Sequence, residues 1–363
     1  FLKMKLKCPN ILKHLSVLFL LLFCNKILYA QQESRYWYFG NCALDFGKKG
    51  QSPVVLSNNA LIGTNYACGT ISDKYGNLLY YSNGFDVYNS KHKPVKNSGV
   101  LKGHSMSSQG ALFVPHPGDT NLYFLFTASY YSGFYYYIID KRGDNGLGEM
   151  ISKNNLLWKG NVHGKVTAIR HANKNSVWVV SHEMFSDSFY AFLVTKNGID
   201  TSAVISSIGH EYDGYNCFGT LKLSPDNTKL IATSENWGFE VFEFNNKTGK
   251  LSNPVSINDG VSYFGAEFSP NGQYLYLTSI GWDQRYDSLF QFDVSVIDSA
   301  KIYPSRHYLG SPFVEGLKSG RFRALQLATD GKIYATCGDM YLGIINKPNE
   351  NGNNCKWDRT GIK

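Results

Sequence analysis

The chain has 363 residues, 43% of them hydrophobic, 15% aromatic and 18% charged, with 36 Lys and Arg against 28 Asp and Glu. Five of the basic residues and none of the acidic ones fall within residues 1–30, so the rest carries 31 basic against 28 acidic side chains. A net charge of +3 without a basic stripe or tail excludes nucleic-acid binding driven by phosphate contacts.

At the N-terminus, Lys5, Lys7 and Lys13 precede an apolar run over 17–24, and Tyr29-Ala30 stands before Gln31-Gln32. This is the pattern of a cleavable signal peptide: a basic start, an apolar segment too short to span a bilayer, and a small residue at the cut. Met4 is the expected start of translation, and residues 1–30 the expected signal peptide. Cys24, at the end of the apolar run, marks a competing lipid-attachment site, but the bulky Phe23 before it argues against that use. No later stretch is apolar enough to cross a membrane as a helix.

Five cysteines follow the expected cut (Cys42, Cys68, Cys217, Cys337, Cys355) at wide spacings, with no CxxC or Cys/His zinc pattern. Disulfides are therefore not what makes the fold possible, and one thiol at least stays unpaired.

From residue 31 onward the aromatic-rich sequence favours strands, and one hairpin unit recurs: an apolar run, a turn built on Pro, Asp, Asn or Gly, and a second apolar run. Its clearest copies are LKLSPDNTKLIATS at 221–234, AEFSPNGQYLYLTS at 266–279 and LQLATDGKIYAT at 325–336. Looser copies are GTISDKYGNLLYYS at 69–82, ALFVPHPGDTNLYF at 111–124 and VTAIRHANKNSVWVV at 166–180. Pro225 and Pro270 pre-set a turn angle, and the following Asn or Gly accepts the left-handed conformation that closes it.

From Gly76 to Asp119, Asn175, Asn227, Gly272 and Gly331 the steps are 43, 56, 52, 45 and 59 residues, the length of a four-stranded propeller blade. Outer strands are expected near 134–139, 188–194, 239–244 and 289–294. The expected fold is thus an all-β, WD40-like β-propeller over 31–363 with six visible blades. Residues 36–39 (YWYF) are a candidate closing strand. With no terminal strand or cap legible before Lys363, the pattern predicts a seven-bladed or C-terminally extended parent of which this chain is a truncated part.

Residues 71–84 (ISDKYGNLLYYSNG), 107–112 (SSQGAL), 324–334 (ALQLATDGKIY) and 341–349 (YLGIINKPN) resemble the N-terminal propeller of gliding-motility-associated bacterial surface proteins. The resemblance covers nearly all of the chain after residue 30. It implies a propeller followed by PKD and sorting domains for type IX secretion, a place on or outside the outer membrane, and adhesion or an undefined surface role, and it carries over no catalytic residues. This sequence carries neither of those domains.

In propeller topology the loops entering the first strand of a blade and leaving its second strand share one face, opposite the Pro/Asp/Gly turns. That face is expected to carry His104 and Gln109 on one blade, His163, His182 and Glu183 on the next, and His210, Glu235 and Trp237 on a third. Trp282 and Arg323 follow on the last two. Such groups can bind a divalent metal or perform acid–base chemistry, or else cap loops and satisfy backbone groups.

Tyr130, Tyr131 and the aromatic run 134–137 are either a sugar-stacking platform or blade core. No GxSxG, GxxxxGK[ST] or HExxH occurs, and Asn246-Lys-Thr248 matches a glycosylation sequon.

The expected function is a secreted or cell-surface, non-catalytic binding module without cofactor, whose partner is an extracellular protein or glycan. The alternative is a metal-assisted propeller enzyme of the polysaccharide lyase or lactonase kind, using His163, His182 and His210.

Overall fold

The computed structural model describes residues 32–40, 42–47, 51–57, 67–212, 218–281, 287–312, 321–337 and 341–363. The expected signal peptide, Cys24, Cys217 and Trp282 lie outside them.

Seven antiparallel sheets follow one another along the chain, each built from consecutive strands. Five contain four or five strands, and the first two contain three among the described residues. Blade 5 shows the plan: Leu221–Leu223, Lys229–Ser234, Gly238–Asn245 and Lys250–Ile257 run from the axis outward. The second strands of blades 5 and 6, Lys229–Ser234 and Tyr274–Ser279, are buried at every position. Their sequences therefore read as near-continuous apolar runs, because each is covered by a neighbouring blade on both faces.

The six expected turns all join the first to the second strand of a blade, from blade 2 to blade 7. Asp73 Oδ1 accepts the N–H groups of Tyr75 and Asn77, each at 2.9 Å, closing the blade 2 turn as an Asx motif. Asn227 and Gly272 take the left-handed conformation in the corresponding turns, at φ +63° and +69°. The turns therefore line one face of the ring, and contacts run between them: Lys229 Nζ donates to Gly272 O in the next blade, at 3.4 Å.

The blades are also clasped by a threonine that recurs near the end of the second strand. Thr233 Oγ1 accepts the Thr220 N–H of its own blade (2.7 Å) and donates to Phe264 O of blade 6 (2.6 Å). Thr278 repeats both bonds, to Gly265 N (2.9 Å) and to Arg323 O of blade 7 (2.9 Å). One hydroxyl thus satisfies a donor in one blade and an acceptor in the next, away from water.

Two expectations are corrected here. Residues 36–39 form the strand Tyr36–Phe39, but it pairs with Cys42–Asp45 and not with the last blade. It opens a seventh blade, completed by Val54–Ser57, that lies before the six legible ones. At the other end, Trp357–Ile362 is the outer strand of blade 7, pairing with Leu342–Ile345.

Ring closure is accordingly face to face. Trp37 and Phe46 of blade 1 meet Tyr334 of blade 7 with ring centroids 5.7 and 5.3 Å apart. On the other side of blade 1, Tyr38 stacks on Tyr81 of blade 2 at 4.4 Å. The missed strands lacked a readable signal for a physical reason. Those of blade 1 are only four residues long, and Trp357–Ile362 is a sheet edge whose polar residues face water.

Candidate functional site

The face opposite the turns carries the loops that enter each blade and the loops between second and third strands. Loop 103–110, entering blade 3, crosses toward the axis. Gln109 lies on it, but its side chain is committed to the framework: Oε1 accepts the Leu221 N–H at 2.7 Å and Nε2 donates to Leu221 O at 3.1 Å. Its main-chain N–H donates to Gly164 O at 2.8 Å. Gln109 thus stands in for a strand residue between blades 4 and 5. This approach requires Gly164, since a Cβ there would lie 2.5 Å from the Ser107 side chain.

His163, His182 and His210 lie at this same end, as expected, but on one blade and not on neighbours. They belong to Val162–Arg170, Val177–Glu183 and Val204–Tyr212, the first, second and outermost strands of blade 4. The cause is strand Val204–Tyr212, which folds back to pair with Ser186–Thr195 instead of leading directly into blade 5.

The three imidazoles pack around the Tyr212 ring, and the His163 and His182 rings also meet each other at 5.2 Å. The Tyr212 centroid is 5.8 Å from His163, 4.9 Å from His182 and 5.9 Å from His210. The Tyr212 hydroxyl donates to Glu240 Oε2 at 2.6 Å, and the Ser256 hydroxyl and the His210 N–H also donate to that carboxyl group. This polar hub seals blade 4 against blade 5.

Burial, reinforced by the nearby Lys165 charge, brings the His182 imidazole down to about 3 and holds His163 well below the ordinary histidine range. Both are neutral at physiological pH. Lys165 is itself buried, and its Nζ donates to Thr233 O at 2.8 Å. Among the described residues no group of three His, Cys, Asp or Glu side chains converges as a metal site requires.

Glu183 turns away from the imidazoles. Its Oε1 accepts from Trp158 Nε1 (3.0 Å) and its Oε2 from the Tyr190 hydroxyl (2.7 Å), tying blade 4 to blade 3. Glu235 is buried, and desolvation raises its carboxyl to about 6 against the opposing charges of Arg323 and Lys165. Arg323 lies 3.9 Å from the buried Asp287 and over the Phe264 ring. Trp237 packs on His210 at 4.3 Å. Most of the candidate polar groups are thus engaged in joining blades.

Among the described residues this face also presents aromatic rings to solvent. The loops between second and third strands carry Phe85 on blade 2, Tyr131 on blade 3 and Phe185 on blade 4, with exposures of 43%, 67% and 49%. Trp237, half-buried, holds the equivalent place on blade 5. Tyr131 lies 4.0 Å from Tyr130 and 5.2 Å from His104, forming an aromatic corner. Burial and the adjoining Tyr131 hydroxyl raise Tyr130 to about 12. His104 is held in place by accepting the Met106 N–H on Nδ1, at 3.2 Å.

Phe185 is both exposed and left-handed, at φ +57°. A bulky side chain there costs about 1–2 kcal/mol relative to ordinary backbone.

Of the aromatic run 134–137, Phe134 and Tyr137 are core, whereas Tyr131 is surface. Lys165, Tyr212 and Phe185 were missed in the sequence; the recurrence of an aromatic just after each second strand was the available signal. The sequon residue Asn246 is bound into the blade 4–5 contact, its Nδ2 donating to Arg170 O (2.9 Å) and its main-chain carbonyl accepting from Trp178 Nε1 (3.0 Å).

No family model matches the chain, and no curated protein does. Solved structures align with it. A putative 6-phosphogluconolactonase from Bacteroides uniformis aligns with a TM-score of 0.53 at 12% identity, covering 84% of this chain and 86% of that one. Hydrazine synthase of Kuenenia stuttgartiensis aligns with a TM-score of 0.48 at 11% identity, covering 80% and 81%. At 12% identity the likeness to the Bacteroides uniformis protein concerns the fold alone. This chain is a seven-bladed β-propeller.

Proposed function

We infer that the protein is an exported, non-catalytic binding module, secreted or displayed at the cell surface, that holds an extracellular partner on the face opposite its Pro/Asp/Gly turns. One observation carries this reading: three consecutive blades each expose an aromatic ring at the same loop position of that face. Exposed rings lower solubility and add nothing to the core, so their repetition on one face fits a surface that meets a ligand. The sequence resemblance to propellers of gliding-motility-associated surface proteins supports an adhesive role.

The alternative, a metal-assisted enzyme, has less to rest on, because His163 and His182 are buried against each other and against the Tyr212 ring, while His210 meets that cluster through Tyr212. The test is binding of the labelled protein to cells and extracellular material of the producing organism. Wild type is compared with a Phe85→Ala/Tyr131→Ala/Phe185→Ala variant and with Tyr75→Ala, an equally exposed tyrosine in a turn of the opposite face. Binding is expected to vanish in the triple variant alone; wild type that fails to bind overturns the reading.

A further inference from the structure

Which chemistry suits this face can be taken further, on the reading that it is a binding face. The exposed rings are islands. Phe85 sits between Gly84 and Asp86, Tyr131 between Tyr130 and Ser132, and Phe185 is followed by Ser186 and Asp187. The Asn83 side chain closes the Phe85 loop by accepting the N–H groups of Phe85 (2.9 Å) and Asp86 (2.6 Å). A protein partner is anchored by a contiguous desolvated centre inside a polar rim. Rings set on separate blades with polar loops between them do not make one.

Two platforms stand out on adjacent blades. The first is the corner of Tyr131, Tyr130 and His104, with centroids 4.0 to 5.7 Å apart. It offers a ring face with a polar tip at its edge. The second is Phe185, whose left-handed backbone is held by the bond from its N–H to Tyr212 O at 3.0 Å. A conformation disfavoured for a bulky side chain, retained where the ring is exposed, points to use of that ring.

Adjacent sheets pack roughly 10 Å apart. A ligand that lays flat apolar faces on rings carried by adjacent blades, with hydrogen-bonding groups between, is a chain of sugar rings. Each pyranose presents C–H faces above and below and hydroxyls around its edge.

We propose that the Tyr130–Tyr131–His104 corner and Phe185 are consecutive stacking subsites for a polysaccharide laid across blades 3 and 4. Tyr131 and Phe185 each receive one sugar face, and the polar loops between them meet the hydroxyls.

The test is affinity electrophoresis of the full chain through gels cast with mixed-linkage β-glucan, xylan or pullulan, for wild type, Tyr131→Ala, Phe185→Ala and Tyr75→Ala. All three substituted side chains are solvent-exposed, and circular dichroism checks that each variant folds. The expected result is retardation of wild type and Tyr75→Ala by at least one polysaccharide, with apparent Kd raised tenfold or more in each of the other two variants. No retardation by any of the three polymers overturns the proposal, as does retardation equal in all four proteins. Binding to extracellular material that survives periodate oxidation of its sugars, yet is lost in Tyr131→Ala, also overturns it. That last outcome leaves the binding-face reading standing with a protein partner.

Discussion

The Phe185 N–H donates to the Tyr212 carbonyl at 3.0 Å, and through this bond the outer strand of blade 4 holds a left-handed phenylalanine at a hairpin tip. The same Tyr212 lends its ring to three histidines and its hydroxyl to Glu240. Exposed tip and buried hub are therefore one construction, with the Phe185 ring outside and the His163 and His182 imidazoles inside.

Phe185→Gly separates the ring from the strain. Glycine adopts φ +57° freely, while its added freedom in the unfolded chain offsets part of the gain. Stability is expected to rise by up to about 1 kcal/mol. Denaturant melts check this, and ligand binding on the face falls in the same variant.

The threonine clasp predicts a different pattern. Thr233→Val keeps the shape of the side chain but leaves the Thr220 N–H and the Phe264 carbonyl unpaired in the interior, at an expected loss of about 1–3 kcal/mol. Thr278→Val should behave alike and Thr233→Ser should retain most of the stability, as read from urea midpoints.

Gln109→Ala should act as a core substitution, not as a binding-site one. It strands the Leu221 N–H and C=O, and about 1–3 kcal/mol is expected to be lost. Affinity for any ligand of the aromatic tips should stay unchanged when measured below the unfolding transition.

Acid should destabilise the fold through blade 4. His182, at about 3 when folded against 6.5 unfolded, binds more protons in the unfolded chain between those values. Its contribution is complete above pH 6.5 and is lost as pH falls toward 3. His163, also lowered, adds to the same trend. Glu235, raised from 4.5 to about 6, has the opposite sign: its contribution is present below 4.5 and is lost as pH rises through 6. The histidine shift is the larger, so urea midpoints should drop between pH 6 and 4. His182→Gln should flatten that slope.

Export gives the last test. Intact mass of the exported protein should correspond to a chain beginning at Gln31. An acylated species beginning at Cys24 would replace the signal-peptide reading with the lipoprotein one.

Legibility in the sequence followed the range of the interactions. The six turns were readable because Asp73, Asp119, Asn173, Asn227, Gly272 and Gly331 close them with bonds to residues at most four positions away or with their own backbone conformation. The alternation of apolar runs and turns at near-even spacing was enough to identify a propeller. The first blade stayed hidden because strands of four residues carry too few alternations to stand out.

By itself, the sequence determined the inner hairpins of six blades, their turns and the face on which those turns lie, since these depend on backbone preferences acting over a few residues. Only the tertiary structure decided what the polar residues do. His210 joined His163 and His182 because an outer strand folded back on blade 4. Gln109 became a framework residue by bonding Leu221, 112 positions away. The aromatic rings became a common surface for the same kind of reason: whether a side chain is buried depends on which distant segment covers it, and ring closure sets that cover.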